Sequence, residues 1–149
     1  MIKICITMLA LALSLLSVDV WAESDVLGFV KIVEGEASIT AEQGTVPARP
    51  GLPVYMGNLL KTAENGRLGV TFKDNTIMSL GPDTELRIDE YLFAPAQSEL
   101  KLAASLLKGT LHYISGVIAK LKPEAVSVKT PAGIIGVRGT RFLAKAEAE

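Results

Sequence analysis

Near its C-terminus the sequence reads TPAGIIGVRGTRF over residues 130–142. Arg138 and Arg141 stand there among Gly133, Gly136 and Gly139 in an otherwise apolar, β-branched run. A guanidinium offers a planar fork of donors that matches a carboxylate, sulfate or phosphate, and glycine amides can approach the same anion. Arg138, Arg141, Gly136 and Gly139 are therefore the candidate binding residues. Neither familiar phosphate loop fits: no GK[ST] follows the glycines, and their spacing is not a dinucleotide fingerprint. The same residues also have an internal use. A bulge near Gly139 would swap strand faces and bury both Val137 and Phe142, with glycines serving close packing and positive φ. Arg138 would then pair with an acid such as Asp83 or Asp89.

The other reactive side chains form no constellation. His112 is the sole histidine, and TLHYIS places it beside Thr110 and Ser115 only by sequence, whereas a triad needs base, nucleophile and orienting acid together. With Leu111 and Tyr113 on the opposite strand face, His112 reads as a solvent-side residue. Asp74, Asn75, Asp83 and Glu85 offer oxygens to calcium, but the alternating acidic loop is lacking, and Asp and Asn in turns bond their own backbone. Asp89 and Glu90 are adjacent and point to opposite faces of a strand, which does not make a glycosidase pair. One histidine without a mature-chain cysteine builds no usual zinc site. The expectation is a protein that is not an enzyme and has no cofactor and no metal.

Strands must position these residues. In RLGVTF, Leu68, Val70 and Phe72 share one face; in ELRIDEY, Leu86 and Ile88 oppose Arg87 and Asp89. DVLGFVKIVEGEASIT reads as a hairpin turning at Gly35, and Asn65-Gly66, Lys73-Asp74-Asn75 and Gly81-Pro82-Asp83 read as further turns of a meander. The prolines and glycines of residues 41–57 admit only short extended pieces. SELKLAASLLKGTLHYISG fits a hairpin with a glycine at 109, VIAKLKPEA a short helical turn before Pro123, and VSVKT a strand. The fold class is all-β: a single antiparallel β-sandwich, jelly-roll-like, built from consecutive hairpins.

The chain has 149 residues, enough for one core, and a formal net charge of -1. Its first 22 residues, with Lys3, an apolar run from Ile4 to Val18 and Val20-Trp21-Ala22, have the layout of a cleavable signal peptide. The domain is then residues 23–149. Lys3 and Asp19 leave together, so the charge stays near neutral, and nucleic acid is not an expected partner. Cys5 lies inside the leader, which excludes thiol chemistry from the mature chain.

Four ordered blocks carry a family resemblance: GFVKIVEGEASIT, GLPVYMGNLLKTAENGRLGVTFKDNTIMSLGPDTELRI, LLKGTLHYISG and VSVKTPAGIIGVRGTRFLA. Together they resemble a FecR-type periplasmic domain, the family named for the iron-citrate transport regulator. The resemblance implies a jelly-roll-like β-sandwich in the periplasm of a Gram-negative bacterium, acting through contacts with other envelope components. It differs from the regulator in having only a leader before the domain, without a cytoplasmic sigma-regulating segment. The implied partner is an envelope protein, an outer-membrane receptor or a membrane-bound regulator, in signal relay; the other candidate is peptidoglycan or another carbohydrate, in a structural envelope module.

Overall fold

A computed structural model describes residues 25–148. The expected leader lies outside them. Among the described residues twelve strands follow one another: β1 (Gly28–Glu34), β2 (Ala37–Ala41), β3 (Gly44–Pro47), β4 (Pro53–Val54), β5 (Leu59–Thr62), β6 (Arg67–Phe72), β7 (Ile77–Leu80), β8 (Glu85–Ala94), β9 (Glu99–Ile114), β10 (Val126–Thr130), β11 (Gly133–Gly136) and β12 (Arg141–Ala146). A short helix, α1 (Val117–Leu121), and a 3-10 turn at Pro123–Ala125 lie between β9 and β10.

The strands form one curled, nearly all-antiparallel sheet in two halves that share β9. One half runs β4-β1-β6-β7-β9-β12, the other β3-β2-β5-β8-β9-β10-β11. Period-two alternation sends one set of side chains from both halves into a common cluster that includes Leu60, Val70, Met78, Ile88, Leu106, Leu111 and Tyr113. Full burial of such a side chain contributes about 1.5–3 kcal/mol, so this cluster is the main source of stability. The face assignments in RLGVTF and ELRIDEY hold: Leu68, Val70, Phe72, Leu86 and Ile88 are buried, while Arg67 and Arg87 are exposed.

The expected meander is replaced by repeated crossings between the halves. β1 and β2 do not pair with each other; β1 pairs with β4 and β6, and β2 with β3 and β5. The Asn65-Gly66 and Gly81-Pro82-Asp83 turns likewise lead from one half to the other, whereas Lys73-Asp74-Asn75 does close the β6–β7 hairpin. Two corners abut, since the Ala63 N–H donates to the Glu36 carbonyl over 2.9 Å and a Cβ on Gly66 would strike that same carbonyl. Gly66 is therefore demanded by a neighbouring backbone and not by positive φ.

Residues 99–114, expected as a hairpin, are one strand of 16 residues. Gly109 sits at φ +91°, a left-handed conformation open to glycine, and the strand bends there. Before the bend β9 pairs with β8, beyond it with β7 and β12. The bend is held by Thr84, whose Oγ1 accepts the Thr110 N–H at 2.9 Å, while the Thr84 N–H donates to Thr62 Oγ1 at 2.9 Å. β10 runs parallel to β9, an exception to the antiparallel expectation. Its crossover from β9 passes through α1, the short helical turn anticipated before Pro123.

Candidate functional site

The TPAGIIGVRGTRF segment is two strands, not one strand with a bulge. Thr130 and Gly133 flank a two-residue turn, so β11 folds back on β10 with Ile135 opposite Val128 and Gly136 opposite Ser127. The chain then leaves that half, turns at Gly139 with φ +101°, and enters the other as β12, antiparallel to β9. Gly139 thus has the positive φ expected of it, in a crossing between halves. Val137 is buried and Phe142 half-buried, stacked on Tyr113 with ring centroids 4.9 Å apart. Ser115 pins the crossing: its N–H donates to the Thr140 carbonyl at 2.8 Å and its hydroxyl to the Gly139 carbonyl at 3.0 Å.

All four candidate residues, Gly136, Arg138, Gly139 and Arg141, are exposed on this crossing. The internal pairings considered for Arg138 are taken by other cations. Asp83 lies 3.3 Å from Lys108, and Asp89 lies 2.7 Å from Arg87 while also accepting the Ser105 hydroxyl. Among the described residues neither Arg138 nor Arg141 has an ion-pair partner. Both arginines are exposed, next in sequence to the buried Val137 and the half-buried Phe142.

The possible oxygen ligands are not brought together. Glu85 pairs with Lys61 at 3.2 Å, Asp83 with Lys108, and Asn75 is exposed at φ 68° in its turn. Among the described residues no group of three His, Cys, Asp or Glu could hold a metal. His112 lies in register with Ser79 and Leu143 on the outer face, the strand position expected of it.

Asp74 has a role that turn chemistry alone did not reveal. It is fully buried, and its carboxylate accepts four donors: Tyr91 Oη at 3.0 Å and Thr76 N–H at 3.3 Å on Oδ1, Thr76 Oγ1 at 2.7 Å and Ile118 N–H at 3.1 Å on Oδ2. Its carbonyl accepts the Val117 N–H at 2.7 Å. A turn residue of the β6–β7 hairpin therefore caps α1, satisfying amides that a helix start leaves open. Burial, reinforced by the Asp74 charge, holds the Tyr91 phenol well above its ordinary value. Tyr113 is also raised, again mainly by burial, and its hydroxyl is the one buried side-chain polar atom among the described residues without a hydrogen-bond partner. The Asp-x-Thr spacing of residues 74–76 was the available signal for a local Asx contact; its long-range partners lie in β8 and α1.

These features define an all-β domain with an exposed basic crossing between two halves of a sheet. A sequence profile described as FecR protein matches residues 58–149, and the chain belongs to the FecR family. The match takes in β5 to β12, while β1 and β2 complete the ladders of β6 and β5 from outside it. No curated protein and no solved structure matches the chain. FecR domains are signal-transduction regulatory domains that work with membrane proteins and are typically associated with the cell envelope. Among the described residues no helix is long and apolar enough to cross a membrane.

Proposed function

We propose that this chain is an exported, non-enzymatic binding domain of the Gram-negative periplasm that contacts another envelope protein in a signal relay. Family membership supports the signalling context. The observation that carries the binding reading is the surface crossing at residues 136–141, where Arg138 and Arg141 are exposed and, among the described residues, free of ion pairs. Cations without an internal acid retain their full capacity for an external carboxylate or other anion.

The test is quantitative affinity capture from a native envelope extract, with the full exported chain tagged at its C-terminus and Arg138→Met as control. Selective recovery of an outer-membrane receptor or a membrane-bound regulator, lost in the control, is the expected result. Enrichment of peptidoglycan alone would move the domain to wall binding, and recovery of nothing above the control would end the signalling reading.

A further inference from the structure

We infer that the free edge of β11 accepts an extended, acidic segment of a partner protein as an added strand. This rests on the protein-binding reading above and names how the partner is held. Three observations lead to it: the state of the sheet edges, one unexplained glycine, and the local charge.

Exposed edges invite pairing, and proteins blunt them with proline, charge or brevity. β3 ends in Pro47, β4 is two residues long and begins with Pro53, and β12 carries exposed Arg141 and Lys145. β11, Gly-Ile-Ile-Gly, is four residues long and carries neither proline nor charge, and Ile134 is 72% exposed. It pairs with β10 alone, so alternate N–H and C=O groups along its other side are free for another strand.

Gly136 is the glycine that the fold does not explain. Every other described glycine has a positive φ or a neighbouring atom within 4 Å of where a Cβ would stand; Gly136 has neither. Glycine inside a strand costs stability, and a recurrent reason to keep it is close approach by another group. With Ile135 turned inward, Ile134 and Gly136 share the outer face, and the missing side chain leaves a gap beside Ile134.

The charge around this edge selects the partner. From Ala125 to Ala146 the sequence holds Lys129, Arg138, Arg141 and Lys145 and no Asp or Glu. Lys129 stands in register with Ile134 and, like Arg138, has no ion-pair partner among the described residues. An incoming strand with acidic residues on its outer face, around a large side chain over Gly136, meets all three features. A second copy fits less well, because its own β11 edge brings no Asp or Glu to meet Lys129 and Arg138.

The probe is a synthetic strand peptide with Val on one face and Glu, Phe and Glu on the other, titrated into the full chain and followed by amide hydrogen exchange. Protection of amides within Gly133–Gly136 is expected, with no comparable effect from a peptide carrying Lys in place of Glu. Ile134→Lys, Gly136→Val and Arg138→Glu, all at exposed positions, should keep the melting temperature and each weaken binding at least about tenfold. Failure of the acidic peptide to bind at millimolar concentration, unprotected β11 amides, or equal binding of the Lys peptide would overturn the inference. So would a dimer in light scattering that Ile134→Lys converts to monomer. If envelope capture succeeds but Ile134→Lys does not reduce it, edge pairing fails while the binding reading stands; if capture itself fails, the binding reading falls first.

Discussion

The Ile118 N–H donates to Asp74 Oδ2 across 3.1 Å, joining residues 44 apart in the chain. A hairpin turn in one half of the sheet thereby fixes the start of the crossover that carries the chain from β9 to β10. Asp74→Ala strands four buried donors at once, so it should lower unfolding free energy by at least about 3 kcal/mol. Asp74→Asn keeps one acceptor oxygen and should cost about 2 kcal/mol. Urea unfolding of both variants checks the order; equal, small losses would show that the network is dispensable.

Gly116 and Gly109 are predicted to be intolerant for different reasons. A Cβ at Gly116 would strike Thr76 N and the Asp74 carbonyl, while Gly109 combines φ +91° with contact against Thr84. Either alanine variant should lose about 3 kcal/mol or more, and Gly136→Ala less than about 0.5 kcal/mol. Three thermal melts decide it.

Alkaline pH should destabilise the domain through Tyr91. Its phenol is raised in the fold, so above the ordinary tyrosine value of about 10 the unfolded chain releases a proton that the folded state retains. The associated stability is complete below about pH 10 and is lost as pH climbs through the folded value. Melting temperature measured from neutral to strongly alkaline pH should fall, less steeply in Tyr91→Phe. A parallel fall in both proteins would assign the effect elsewhere.

Tyr113→Phe should change stability by less than about 1 kcal/mol, because the ring keeps its stack on Phe142 and the buried hydroxyl, beside Thr76 and Ser115, has no partner at full hydrogen-bond geometry. A larger loss in calorimetry would reveal a partner for that hydroxyl.

Arg138→Met should change stability by less than about 0.5 kcal/mol, as befits an exposed cation outside any ion pair. A drop of several degrees in the melting temperature would show that Arg138 serves the fold.

Strands were legible wherever one face is buried, as in β6 and β8, because period two is printed in the residue order. Connectivity was not. Gly35, Asn65-Gly66 and Gly81-Pro82-Asp83 have the residues of hairpin turns, yet they are corners between halves; both need tight backbone and neither records which strand comes next. Gly109 was legible as a break but not as a bend within a continuous strand, since its φ is set jointly with Thr84, 25 residues earlier. At the candidate site, the positive φ of Gly139 could be anticipated from residue type. That Arg138 has no internal partner could not, because it depends on Lys108 and Arg87 reaching Asp83 and Asp89 first.

Because β9 is hydrogen-bonded into both halves, neither half can open as an independent cooperative unit. Losing the β8 side of the strand removes the support of Gly109 and Thr84 from the β7 and β12 side as well. Amides on the two sides of the bend should therefore exchange with solvent at one common free energy, that of the whole domain, making β9 the slowest-exchanging segment of the chain.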